Sequence, residues 1–127
     1  MIVGILGGGQ LGMMLCQAAR KLNLQTFIYT DSDDSPAIKY ADSYLIKKYD
    51  NFHEIDNFIK KCDFVTYEFE NIPFKTLSYI ERKINVSPNS QVNKIIQDRL
   101  TEKNYVNKIN IPTVSYICLL YTSPSPR

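Results

Sequence analysis

Histidine occurs once in the 127 residues, as His53, and cysteine three times, at Cys16, Cys62 and Cys118. Without a second histidine or a suitably placed serine, a nucleophilic triad has nothing to be built from. The cysteines are odd in number and far apart, with no CxxC pair. Neither a zinc site nor a disulfide framework is expected, and all three read as reduced, buried thiols. No apolar run approaches the ~20 residues that a membrane-spanning helix needs. The apolar start has no basic segment before it and breaks at three glycines, unlike a secretory leader. An excess of one charge is missing too, since 15 Lys and Arg stand against 13 Asp and Glu. A dispersed net charge of +2 gives no electrostatic footprint for nucleic acid. These absences leave a cytoplasmic protein with no nucleic-acid or membrane partner, whose ligand is a small molecule. His53, in a polar stretch at a helix start, reads as a surface residue.

Apolar content is ample, at 44% of residues, and supports a core without disulfide or metal staples. The most informative stretch is Ile2-Val3-Gly4-Ile5-Leu6 followed by Gly7-Gly8-Gly9-Gln10-Leu11-Gly12. It reads as a buried strand delivered into a glycine-rich turn and then a helix. Glycines let the backbone take positive φ and let a ligand approach main-chain N–H groups, and the helix N-terminus adds partial positive charge there. A phosphate-bearing small molecule is the expected ligand. Gly7, Gly9 and Gly12 satisfy the dinucleotide fingerprint, and Asp31 lies 19 residues after Gly12. The fingerprint alone is a weak signal, and Asp31, beside Asp33 and Asp34, reads as a solvated turn residue.

Leu11, Met14, Leu15, Ala18 and Leu22 recur at helical spacing and predict a helix over 10–22 with one apolar stripe. A strand follows over 25–29, then a short helix opened by Pro36, a strand over 44–46, a helix over 51–61 and a strand over 63–67. Pro73 precedes a helix carrying Leu77 and Ile80, and 84–86 forms a last short strand. From Pro88 the pattern turns helical, first through Ile95 and Ile96 and then over 98–109, with a strand expected over 113–117. Strands alternating with helices predict an α/β fold, a parallel sheet with helices on both faces. The Gly7–Gly12 loop, Asp31 and the segment Glu68–Asn71 all follow strands, so they should meet along the carboxyl edge where such sheets bind ligands.

Two further segments carry chemistry. Tyr67-Glu68-Phe69-Glu70-Asn71-Ile72-Pro73 places two carboxylates and an amide directly after a buried strand, a poor choice for packing and a good one for gripping hydroxyls or amines. Of the two acids Glu70 is favoured as the ligand contact. Gln97-Asp98-Arg99-Leu100-Thr101-Glu102-Lys103 offers a guanidinium among acids. Arg99 fits a phosphate in fork geometry, although an exposed helix with weak ion pairs fits the spacing as well.

These three segments, with Ile111-Pro112-Thr113, resemble in order and spacing the start of the N-carboxyaminoimidazole ribonucleotide synthetase family. That family is the ATP-dependent carboxylase of purine biosynthesis, in the ATP-grasp superfamily; Pro36-Ala37 followed by Ala41-Asp42 also fits it. The resemblance covers Met1 to Tyr116. It implies a Rossmann-like pre-ATP-grasp domain over residues 1–86 and the start of an ATP-grasp region over 87–117. Residues 118–127, ending in Ser-Pro-Ser-Pro-Arg, resemble a cloning-adaptor tail and are expected to be non-native. The implied reaction uses ATP, with Mg, and bicarbonate to form carboxyphosphate, which carboxylates the amine of aminoimidazole ribonucleotide. Arg99 would contact ATP, while Gly8, Gly9, Gln10 and Leu11 would face the ribonucleotide phosphate or ribose. Glu70 and Asn71 would line the same pocket. Met13 departs from the basic residue common there in the family. The resemblance places the catalytic residues and metal ligands beyond residue 127, so this fragment is expected to be inactive alone and the full-length protein to form a homodimer. The alternatives are an NAD-binding Rossmann module of an oxidoreductase or another ATP-grasp ligase.

Overall fold

The computed structural model describes residues 1–97 and 99–109. They fall into two compact units, one Met1–Asn93 and the other beginning at Lys94. The first holds a four-stranded parallel sheet in the order β3-β2-β1-β4, formed by β1 (Ile2–Leu6), β2 (Gln25–Thr30), β3 (Ser43–Ile46) and β4 (Phe64–Tyr67). β1 lies inside the sheet, and its nearly unbroken apolar run is what a strand buried on both faces requires. Leu6 stands opposite Tyr29 on one side and Tyr67 on the other. Val86 extends the sheet by a single parallel bridge to Val65, where a short strand is expected from the sequence.

The connections are α1 (Gln10–Lys21), a 3₁₀ helix (Pro36–Lys39), α2 (Phe52–Ile59) and α3 (Phe74–Glu81), followed by α4 (Ser90–Gln97) and α5 (Arg99–Lys108). α1 ends in a Schellman arrangement. Asn23 takes φ +59, its N–H donates to the Arg20 carbonyl, and the Leu24 N–H reaches back to that of Ala19 at 2.9 Å. Asn51 caps α2, its side chain accepting from the Glu54 N–H at 3.2 Å. The strand expected over 113–117 and the tail from Cys118 lie outside the described residues.

Period-two alternation sorts the core into two layers. Leu6, Phe27, Tyr29, Val65 and Tyr67 point to the side where Phe58, Leu77 and Ile80 pack, while Val3, Ile5 and Ile28 meet Cys16 and Ala37 on the other. Helices cover both faces, as expected. Cys16 is buried and Cys62 half-buried, both free thiols.

α1 differs from the simplest reading of its periodicity. The residues it buries are Gly12, Cys16 and Ala19. The stripe of larger residues faces outward, with Leu11 58%, Met14 53%, Leu15 39% and Leu22 71% exposed. Close approach explains the inversion. A Cβ added at Gly12 would lie 2.9 Å from the Gly7 carbonyl oxygen, so only the small-residue face fits against the loop and sheet.

Candidate functional site

The chain leaves β1 for β2 on one side of the sheet, whereas β4 lies on the other, so the strand order switches between β1 and β4. Ligands of open α/β sheets bind outside the carboxyl ends of the strands at such a point. Two segments meet here: Gly7–Gly12, leaving β1, and Glu68–Ile72, leaving β4.

The glycine loop is fixed along its length. Gly7 adopts φ +108, which an L side chain rarely takes, and its N–H donates to the Tyr29 carbonyl at 2.8 Å. The Gly8 carbonyl accepts from the Ala37 N–H at 3.0 Å, and a Cβ at Gly8 would meet Ser35 at 2.6 Å. The Ser35 hydroxyl is itself held at 2.7 Å from that of Thr30. The Gly9 carbonyl accepts the Met13 N–H, closing the first turn of α1.

The Gly9 N–H donates to Glu68 Oε1 at 3.0 Å. The Glu68 backbone N–H, in turn, donates to the Leu6 carbonyl at 3.1 Å and prolongs the β1–β4 ladder. The Glu68 carboxylate lies among the glycines: a Cβ at Gly7 would fall 2.6 Å from Oε1 and one at Gly9 3.2 Å, while one at Gly12 would stand 3.5 Å from Cγ. Here the fingerprint glycines clear room for an internal acid. Its charge answers the orphan N–H groups and positive end of α1.

Beside this clasp, Phe69 leans on Tyr49, ring centroids 6.1 Å apart, and Tyr49 leans on Tyr29 at 5.8 Å. Burial pushes the Tyr49 hydroxyl up to about 12, so it stays neutral. Ile72 is fully buried, and its carbonyl accepts from Asn93 Nδ2 at 2.9 Å. Between these anchors Glu70 is half-buried and Asn71 exposed.

Gly8, Gly9, Gln10 and Leu11 follow β1 and Glu70 and Asn71 follow β4, so both sets lie beyond the carboxyl ends of adjacent strands, with Gln10 and Leu11 exposed on the first turn of α1. Arg99 belongs to the other unit, where it opens α5 half-buried, with its Nε buried and lacking a hydrogen-bond partner. Asp31 and His53 are exposed, as read from the sequence. Spacing alone did not reveal the Glu68 clasp, the Thr30–Ser35 support or Asn93. Glu68 had a usable signal, because it follows β4 directly as the glycine loop follows β1. Among the described residues no group of three or more His, Cys, Asp or Glu is placed to hold a metal ion.

The model of the ribonucleotide synthetase preATP-grasp domain matches residues 1–97. The N5-carboxyaminoimidazole ribonucleotide synthase of Staphylococcus aureus (strain COL) is 36% identical over 115 residues, 91% of this chain and 31% of that protein. The S. aureus N5-carboxyaminoimidazole synthetase solved with ADP superposes with a TM-score of 0.79 at 37% identity, covering 86% of this chain and 30% of that one. The Aspergillus clavatus N5-carboxyaminoimidazole synthase, solved with ADP and 5-aminoimidazole ribonucleotide, gives a TM-score of 0.79 at 31% identity, covering 90% and 31%. The chain therefore spans less than a third of the length of these relatives.

Proposed function

Because the chain belongs to the ribonucleotide synthetase preATP-grasp domain family, we propose that it supplies the ribonucleotide-binding crevice of an enzyme that carboxylates 5-aminoimidazole ribonucleotide in de novo purine biosynthesis. In that reaction bicarbonate takes the γ-phosphoryl group of ATP, giving carboxyphosphate and ADP. The exocyclic amine then attacks the carboxyl carbon and phosphate leaves. The observation that carries this reading is the meeting of the glycine loop with the Glu68–Asn71 segment at the β1/β4 switch point.

Within the crevice, Gly8, Gly9, Gln10 and Leu11 face the ribose, and Glu70 and Asn71 line the same pocket. Ribose is favoured over phosphate beside Gly9 because a phosphate there would meet the like charge of Glu68, whereas a hydroxyl can donate to it. The same carboxylate argues against a dinucleotide module, whose pyrophosphate requires that helix N-terminus. Arg99 is the contact for the ATP phosphates, its planar fork suited to them. Bicarbonate, a cytoplasmic setting, a homodimer and Mg to neutralise phosphoryl charge complete the reading for the longer protein; no described residue is assigned to Mg. Residues 1–86 are the pre-ATP-grasp domain of that protein and 87–117 lead into its ATP-grasp region.

Thermal unfolding of the 127-residue chain with ligand tests this. A ligand at a hundred times its Kd stabilises the folded state by about 2.7 kcal/mol. 5-Aminoimidazole ribonucleotide should raise the melting temperature, NAD should not, and E70Q and N71A should each diminish the rise. Stabilisation by NAD and none by the ribonucleotide would refute the proposal.

A further inference from the structure

Asn93 is fully buried in α4, and Nδ2 donates to the Ile72 carbonyl at 2.9 Å. The partner fixes the orientation of the amide, since a carbonyl only accepts and the NH₂ end alone can donate. The other end, Oδ1, is buried with no hydrogen-bond partner. An amide satisfied at one end is a costly way to fill space beneath Ile72; an aliphatic side chain would leave no orphaned acceptor on α4. What Asn93 adds is a donor at one carbonyl.

That carbonyl is the far anchor of the segment leaving β4. The near anchor is Glu68, held through its N–H on Leu6 and its carboxylate on Gly9. Only Phe69, Glu70 and Asn71 lie between. The donor is seated in turn: the Tyr67 hydroxyl donates to the Asn89 carbonyl at 3.3 Å, and Ser90 donates to Glu81 from its N–H at 2.9 Å and its hydroxyl at 2.5 Å.

We propose that Asn93 is a positioning residue, whose hydrogen bond to Ile72 sets the placement of Glu70 and Asn71 toward the ligand. This rests on the reading that those two residues meet 5-aminoimidazole ribonucleotide. Asn93 touches no ligand itself and acts through the loop.

The test uses the isotope-labelled 127-residue chain with N93L, which keeps bulk and removes both donor and orphan, and N93A as a smaller second variant. The ligand-free readout is exchange of the Ile72 amide, which closes on the Phe69 carbonyl at 3.3 Å. The second readout is the 5-aminoimidazole ribonucleotide concentration that half-shifts the Glu70 and Asn71 resonances. In N93L, Ile72 exchange should quicken about tenfold while β1 and α1 amides hold. The half-shift concentration should also rise about tenfold. N93A should show the same selective loosening at a lower melting temperature. Unchanged Ile72 exchange in both variants overturns the positioning role without reference to ligand, as does faster exchange spread evenly over the sheet. An unmodified chain that gives no response to the ribonucleotide refutes the proposed function itself, and the exchange arm keeps the two failures apart.

Discussion

Replacing Glu68 separates the two things its carboxylate does. The side chain accepts from the Gly9 N–H at 3.0 Å and brings negative charge to the N-terminus of α1. A hydrogen bond to a charged group in a partly buried setting contributes about 1.5–3 kcal/mol, of which the interaction with the helix terminus is about 0.3–1 kcal/mol. E68Q keeps an acceptor of the same shape and loses only the charge, so it should cost about 1 kcal/mol. E68A leaves the Gly9 N–H without its partner and should cost about 2–3 kcal/mol. For a domain of this size 1 kcal/mol moves the melting temperature by about 4–8 °C. E68Q should therefore melt roughly 5 °C and E68A 10 °C or more below the parent. Urea unfolding followed by far-ultraviolet circular dichroism measures the order parent, E68Q, E68A. An E68A chain as stable as the parent, or E68Q and E68A equal in stability, would show that the carboxylate does not hold the loop.

Two other perturbations follow from the same geometry and from the buried groups. G12A places a methyl 2.9 Å from the Gly7 carbonyl oxygen; overpacking of about 1–3 kcal/mol against about 1 kcal/mol of helix propensity gives a net loss. Calorimetry should show a lower melting temperature, and a rise would contradict the close approach. Above neutrality the main groups are Cys62 and Tyr49, both pushed up to about 12 from ordinary values of 9.0 and 10.0, and Tyr29, pushed up further still, all chiefly by burial. Raised folded values mean that the unfolded chain loses these protons first. Stability should thus hold below pH 9 and fall from there toward 12, by at most about 1.4 kcal/mol per pH unit for each group. Urea midpoints at successive pH values should show this slope, shallower in C62A; a midpoint flat through pH 10.5 would refute it.

The alternation of strands and helices was legible because each strand is a short apolar run closed by glycine, proline or a polar cluster, and Leu6–Gly7 and Tyr67–Glu68 mark where β1 and β4 end. That both segments should meet at one edge followed from parallel topology. Which acid closes on the glycine loop was not legible, since Glu68 and Glu70 sit in the same local pattern and only the pairing of Leu6 with Tyr67 brings the Glu68 carboxylate within reach of the Gly9 N–H. α1 misleads for a similar reason. Periodicity weighs apolarity, and the Leu and Met stripe outweighs Gly12, Cys16 and Ala19, although the close approach of Gly12 to the Gly7 carbonyl turns the smaller set inward. Asn93 looks like any polar position on an amphipathic helix, because its hydrogen-bond partner, the Ile72 carbonyl, lies 21 residues earlier in the sequence.

The outward stripe of α1 has a colloidal consequence. Leu11, Met14, Leu15 and Leu22 meet solvent along one line of the helix, while the whole chain carries a net charge of only +2 to keep copies apart. Long-range repulsion of that size is mostly screened at physiological salt, where the Debye length is about 8 Å. Short-range attraction between stripes is untouched by salt. The balance in concentrated solution therefore depends on a helix face other than the one, formed by Gly12, Cys16 and Ala19, that α1 buries, so polar substitution at Leu11 or Met14 should alter solubility more than fold stability.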